Sequence, residues 1–301
     1  MKKEKVGIIK FSREKDNSKK SRVEEELIKK NLEPNIFYSS SFSIVFNKKK
    51  IEIFYKNKKL NLNEYLFFIG NYYFTDSDSL QNIFIAEVIN SLGTPVFNDP
   101  EKVKKFSNKR DNLFLLAKHN LPIVPSIINN SFINLDQIIK NNNNHKYIAK
   151  FIFGNQGYGV SLLESQQSFV SFMEFMKDKI KAVNILNQPY IHHNEDYRII
   201  VLNNKIITSM KRKNGHSDFR SNLNKGCNGE IFNPDSKTKA MAIKVARTLG
   251  VDFVAIDLIK NKNEYQIMET NISYIGTKIE DITNINTTEK IINHCIKKSK
   301  S

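Results

Sequence analysis

Three oxygen-bearing side chains, Asp257, Glu269 and Asn271, lie in the stretch FVAIDLIKNKNEYQIMETN (253–271). Val254, Ile256, Leu258 and Ile259, then Tyr265, Ile267 and Met268, make two short apolar runs parted by Asn261, Lys262 and Asn263, which predicts a β-hairpin. A carboxylate set into an apolar strand is costly to bury unless it is paired or bound to a cation. Side chains alternate faces along a strand, so Glu269 and Asn271 share one, and a three-residue connection at 261–263 puts Asp257 there too. Three converging hard oxygens are too few to cage Ca²⁺ but suit Mg²⁺, which keeps waters and shares its coordination with phosphates. The competing reading is a half-exposed hairpin whose acids face water.

A second stretch, YIAKFIFGNQGYGVSLL (147–163), carries Lys150 and then Gly154, Gly157 and Gly159 between two predicted strands. Glycines free the backbone to present amide N–H groups to an anion, with Lys150 as a nearby point charge, so the segment reads as a phosphate cradle or, more plainly, as a tight hairpin. No Gly-Lys-Ser/Thr closes it, so it is not a Walker loop. Further on, DYRIIVL (196–202) and KIITSMKR (205–212) predict a hairpin about Asn203-Asn204, from which Arg198, Lys211 and Arg212 project. On a solvent face these would mean nothing; facing a cleft they would hold carboxylate or phosphate oxygens, and Arg suits the bidentate form. His192 and His193 are adjacent on an extended segment and point to opposite faces, which argues against a shared metal. The turn-rich run DFRSNLNKGCNG (218–229) holds Arg220, Ser221, Asn222 and Lys225 in what is otherwise an ordinary polar loop.

The elements that must position these groups follow from the pattern. KVGIIK (5–10) predicts a buried strand, Ser21 to Lys30 a helix with Glu24, Glu25 and Glu26 near its N-terminal end, and Asn35 to Tyr38 a second strand. A hairpin over 43–46 and 51–55, a strand over 65–70, a helix over 80–92 stopped by Gly93 and a strand over 95–97 complete a small α/β layer. No Gly-x-Gly-x-x-Gly follows its first strand, so a dinucleotide site there has no support. A linker is expected at Asn98 to Lys105, helices at 109–119, 168–179 and 236–249, an edge strand at Ile127-Ile128 and a strand at 183–191. The C-terminal Lys297, Lys298 and Lys300 are expected to form a frayed basic tail.

The chain has 301 residues, enough for two or three structural units, with 40% hydrophobic and 26% charged residues, as in a folded globular protein. Its net charge of +16 fits nucleic acid, ribosome, an anionic membrane or acidic substrates, although Lys is accompanied everywhere by Asn and Ile, as a compositional bias would produce. Two cysteines exclude a disulfide framework and fit a reducing cytoplasm, and no apolar run is long enough to span a bilayer.

Read in order, AKFIFGNQGYGV, QPYI, EDYRIIVLNNKIITSMKR, DFRSNL, VAIDL and METN resemble the successive motifs of ATP-grasp carboxylate-amine ligases, with the RimK-type ribosomal-protein glutamate ligases as the nearest branch. The resemblance runs from about Phe97 onward. It implies an α/β (α+β) ATP-grasp fold with a Rossmann-like pre-ATP-grasp domain (1–97), a subdomain with the glycine-rich loop (98–187) and one with the metal site (188–296), enclosing the nucleotide, with the basic tail at 297–301.

By similarity only, Lys109 and Lys150 match the two nucleotide-binding lysines, Gly154, Gly157 and Gly159 the loop covering the phosphates, and Pro189 and Tyr190 the linker that contacts adenine through its backbone. Asp196 matches a residue near the ribose, Arg220, Ser221 and Asn222 a nucleotide-proximal loop, and Asp257, Glu269 and Asn271 the ligands of Mg²⁺ or Mn²⁺, with two metal ions expected. Arg198 and Arg212 are the candidates for holding an acyl-phosphate or acidic substrate. The acid usual before the first lysine is Asn108 here, and the Pro-Gly-Leu usual shortly after the last metal ligand is replaced by Ile272-Ser273-Tyr274-Ile275-Gly276, which bears on the substrate. The resemblance implies ATP-driven amide formation between a carboxylate and an amine such as L-glutamate, on a ribosomal protein, a peptide or a small precursor, with a homo-oligomer left open. A basic ribosome- or RNA-binding module with a vestigial grasp fold is the reading from another class.

Overall fold

The structure, a computed structural model, describes residues 3–10, 21–48, 50–70, 77–129, 146–152, 159–179, 185–213, 229–272 and 278–301. The first strand β1 (Lys5–Lys10) is followed by α1 (Arg22–Lys29), which starts where its glutamates predict. Ser21 accepts from the Glu24 amide while the Glu24 carboxylate accepts from the Ser21 amide at 3.0 Å, a reciprocal cap that satisfies two otherwise orphaned donors. Then come β2 (Glu33–Tyr38), the small antiparallel set β3 (Phe42–Phe46), β4 (Ile51–Tyr55) and β5 (Lys58–Lys59), and β6 (Tyr65–Gly70), α2 (Ser77–Ser91) and β7 (Val96–Phe97). The order β2-β1-β6-β7, all parallel, is the α/β layer expected of this region.

Residues 98–105 are not a linker. Asp99 caps, and Pro100 begins, the helix α3 (Pro100–Phe106), the sequence order that favours a helix start, and the apolar Val103 and Phe106 hold it down. The buried Asn98 amide beside it donates to the carbonyls of Phe253 at 2.8 Å and Ile272 at 2.7 Å and accepts from the Phe253 amide at 3.0 Å. It ties together two strands far along the chain. The helix α4 (Lys109–Lys118) follows directly.

Next is an antiparallel sheet in the order β10-β9-β11-β8, made of β8 (Ile127–Asn129), β9 (Tyr147–Phe151), β10 (Val160–Leu163) and β11 (Ile185–Pro189), with α5 (Gln166–Lys179) between the last two. Phe169, Met173 and Met176 pack under it against Tyr147, Ala149 and Ile185. The larger sheet runs β14-β13-β12-β15-β16, from β12 (Glu195–Leu202), β13 (Lys205–Lys213), β14 (Gly229–Ile231), β15 (Phe253–Asn261) and β16 (Glu264–Asn271). Between β14 and β15, α6 (Ser236–Leu249) begins at the Asp235 cap and ends at Gly250 in the left-handed conformation, φ +64°. One face of this sheet, with Ile199, Val201, Val254, Ile256 and Leu258, packs with α6 side chains; the other, with Ile200, Met210, Phe253 and Ala255, joins Val6, Ile8 and Phe67 of the parallel layer.

The chain closes with α7 (Lys278–Thr283) and α8 (Thr287–Ser299). The expected frayed tail is therefore helical to Ser299. Ile291, Ile292 and Cys295 bury its inner side, Lys298 pairs with Asp252 at 2.8 Å and Lys300 with Glu4 at 2.8 Å. Lysines spaced along an amphipathic helix read as a basic run when the apolar residues between them are overlooked. Among the described residues, no helix is long and apolar enough to cross a membrane.

Candidate active site

Asp257 and Glu269 stand directly opposite each other on β15 and β16, and Asn271 lies opposite Ala255, so all three share a face as expected. The route differs from the expected one. The turn has two residues, Lys262 at φ +55° and Asn263, with Asn261 pairing to Glu264. That register alone would set Asp257 opposite Met268 and send Glu269 to the far face. A bulge between the pairs Leu258 to Ile267 and Asp257 to Glu269 absorbs Met268 and realigns the acids. Bulges leave no residue signature, so the sequence could not give this.

The predicted turn at Asn203-Asn204 is present, with φ of +47° and +58°, and it sets β12 against β13. Asp196 faces Arg212 across that pair, and Arg198 faces Asp257 across β12 and β15. Lys211 lies on the other side, with Glu195 at 3.1 Å and Glu230 at 2.9 Å, and so leaves the site. Arg198 grips Asp257 with both arms of its fork, Nε to Oδ1 at 2.7 Å and Nη2 to Oδ2 at 2.6 Å. Arg212 grips Asp196 in the same way, at 2.5 and 2.8 Å, and its Nη2 also reaches Asp257 Oδ1 at 3.2 Å. Asn271 Nδ2 lies 3.5 Å from Asp257 Oδ2. The Arg212 side chain is 6% exposed and that of Arg198 24%. Arg212, a candidate for holding an acyl-phosphate or acidic substrate, is a buried brace between two carboxylates. Asp196 likewise faces that brace. Burial opposes ionisation of Asp257, yet the two guanidinium groups outweigh it and hold its carboxyl at about 2. Burial raises Asp196 against the pull of Arg212.

Lys150 lies on β9, opposite Val160 and Leu186. Its ammonium is buried, and among the described residues no carboxylate comes within ion-pair distance. Burial lowers it to about 8, opposed by Glu269 and Asp257 and aided by Lys109. Lys109 opens α4 with its Nζ 3.7 Å from Glu269 Oε1, and its amide donates to the Ile152 carbonyl at 3.0 Å, fixing the helix start to the end of β9. Asn108 before it is the helix cap, accepting from the Asp111 amide at 2.8 Å. Asn caps as well as Asp, so the departure from the expected acid costs nothing locally.

Gly159 closes the β9–β10 hairpin at φ +68°, its carbonyl accepting from the Phe151 amide at 3.1 Å. A Cβ there would meet a Phe151 ring carbon at 2.5 Å. Gly154, Gly157, Arg220, Ser221 and Asn222 lie outside the described residues. Pro189 ends β11, and the Tyr190 amide already donates to the Lys146 carbonyl at 2.9 Å, so that N–H is not offered to a base. Sequence reasoning missed Asn98 and also Asn112, which donates to Thr270 Oγ1 at 2.5 Å and holds β16 against α4. The Asp99-Pro100 pair was the available signal for the helix α3, which lies between Asn98 and the α4 residue Asn112.

The site thus offers hard oxygens on one face beside buried cations. Residues 106–295 match the family model of the RimK-like ATP-grasp domain. The chain belongs to that family. It is 30% identical over 195 residues to a probable alpha-L-glutamate ligase of Vibrio vulnificus, spanning 64% of each chain, and 29% identical over 212 residues to one of Legionella pneumophila, spanning 70% of each. The match to the Vibrio relative thus takes in just under two thirds of that protein. In fold it is similar to the ATP-grasp ligase PsnB complexed with a minimal precursor, at TM-score 0.74 and 16% identity over 99% of both chains. It is also similar to the macrocyclase MdnC from Microcystis aeruginosa bound with precursor peptide MdnA, at TM-score 0.72 and 15% identity over 97% of this chain and 99% of that one. The α+β ATP-grasp fold is therefore the fold of this chain.

Proposed function

We propose that the chain is an ATP-dependent carboxylate-amine ligase that phosphorylates a substrate carboxylate and lets an amine displace the phosphate, giving an amide, ADP and phosphate. The observation that carries this reading is Lys150, a buried ammonium without a carboxylate partner among the described residues, set near Asp257 and Glu269. A desolvated cation of this kind gains most from an anion, and the γ-phosphoryl group is the anion the fold handles.

The donor set fits a divalent ion: Asp257, Glu269 and Asn271 are hard oxygen donors converging from paired strands, the chemistry of Mg²⁺ or Mn²⁺. Such an ion, one or two in number, would neutralise charge on the phosphates during transfer. Lys150 and Lys109 would bind the phosphates, Gly159 would end the loop over them, and Arg198 would hold the carboxylate or its acyl-phosphate. The reaction needs no protein nucleophile; orientation and preorganised charge lower the barrier.

The relatives' names favour L-glutamate as the amine, and the structural neighbours' precursor peptides favour a peptide or protein as the carboxylate. The ribosome- or RNA-binding alternative is not favoured, since the similar proteins are ligases. Incubating the protein with ATP, Mg²⁺, L-glutamate and candidate peptides should yield ADP and an amide, and hydroxylamine should trap a hydroxamate. Undiminished ATP turnover in Glu269→Ala would contradict the metal assignment.

A further inference from the structure

An ionised carboxylate has about four acceptor positions, two on each oxygen. At Asp257 all four are occupied: Oδ1 by Arg198 Nε at 2.7 Å and Arg212 Nη2 at 3.2 Å, Oδ2 by Arg198 Nη2 at 2.6 Å and Asn271 Nδ2 at 3.5 Å. A carboxylate in this state has no lone pair left for a cation. One donor has to leave before Asp257 can bind a metal ion, and the four donors are not equally free to go.

Arg212 is anchored by two bonds to Asp196 and is almost wholly buried, so moving it would strand Asp196 in a dry site. Among the described residues Arg198 bonds through its side chain to Asp257 alone, and it is the more exposed of the two, with 24% of its side chain in solvent. We propose that Arg198 is a counter-ion gate: it occupies Asp257 in the metal-free protein, gives the carboxylate up when a divalent ion arrives, and so becomes available to a substrate anion only after the metal is bound. Arg212 and Asp196 are positioning residues that keep Asp257 oriented while its partner changes. The inference rests on the ligase reading and adds an order of events to it.

The exchange adds one positive charge beside the carboxylate. A guanidinium leaves as a dication enters, and the surplus positive charge is where the triphosphate and the substrate carboxylate need it. A protein lacking the metal would hold Arg198 closed and bind the carboxylate substrate poorly.

The test is Mn²⁺ binding in the presence of ADP and the absence of the other substrates, followed by electron paramagnetic resonance and calorimetry. Arg198→Met removes the fork and should bind Mn²⁺ roughly tenfold tighter, the scale on which groups around a metal ligand act. Arg198→Lys keeps the charge but cannot cover both oxygens, so it too should bind Mn²⁺ more tightly, which a purely long-range charge effect would not produce. In turnover both variants should show a raised KM for the carboxylate substrate. Mn²⁺ affinity in Arg198→Met equal to or weaker than that of the unaltered protein would overturn the gate alone. Failure of both proteins to bind Mn²⁺ with ADP would remove the ligase reading as well. If Arg198→Met does not fold, Arg198→Lys decides by the same comparison.

Discussion

Asp257 faces Glu269 because Met268 is looped out of the ladder between β15 and β16, not because the turn that joins those strands has the right length. The two-residue turn and the single-residue bulge each reverse the facing of the acids, and together they restore it. The site therefore depends on an irregularity one residue away from a proposed metal ligand.

With Lys150 in the phosphate-binding role proposed above, nucleotide binding should be sensitive to alkaline pH. Its ammonium sits at about 8 in the folded chain against 10.5 in the open chain. Affinity for ADP should fall as pH rises through 8, where the cation is lost, and binding near that pH should take up a proton, seen by calorimetry in buffers of different ionisation enthalpy. The stability effect has the opposite sign. Between 8 and 10.5 the unfolded chain holds the proton that the folded one has shed, so the ligand-free protein gains stability as pH rises across that window. Lys150→Met should flatten that part of the melting profile.

Gly159→Ala tests the hairpin that ends the glycine-rich segment. At φ +68° an alanine is strained by about 1–2 kcal/mol, and its methyl would push into the Phe151 ring. Urea denaturation should show at least that loss. Gly159→Ala as stable as the parent would mean that the turn can re-form with negative φ.

Removal of the Asn98 amide separates the start of α3 from the ends of β15 and β16. Asn98→Ala leaves the Phe253 amide and the carbonyls of Phe253 and Ile272 without these partners at a site 1% exposed, for a loss of about 2–4 kcal/mol in urea. Asn98→Asp should be no better, because it restores only the acceptor and adds a buried charge.

Asn187 is expected to be a stability defect. It is 1% exposed on β11, and among the described residues neither of its amide atoms has a hydrogen-bond partner. Leu at this position should raise stability by about 1–3 kcal/mol, the desolvation cost of an unmatched polar group. A lower melting temperature for Asn187→Leu would refute this.

Much of the frame was legible because its cues are local. Alternating apolar residues gave β1, β6, β12 and β15, Gly250 marked the end of α6, and Asn203-Asn204 specified a tight turn. The common face of Asp257, Glu269 and Asn271 was legible too, though through a turn length that the protein does not use. What the sequence could not show was partnership at a distance. Nothing near Asn98 announces that it bonds residues more than 150 positions away, and nothing near Arg212 announces that Asp196 will bury it. The lysines at 297–300 were misread for a related reason: a short amphipathic helix shows its docking face only once Asp252 and Glu4 are in place.

Asp196, Arg212, Asp257 and Arg198 form an alternating row of two anions and two cations, each clasped by its neighbour. Such a row resists piecemeal change, since substituting any one member strands an odd charge whose relief requires a second substitution. Replacements within the quartet should therefore be strongly epistatic, with paired changes better tolerated than either alone, so that an evolutionary path to a different chemistry at this site would have to move through its residues two at a time.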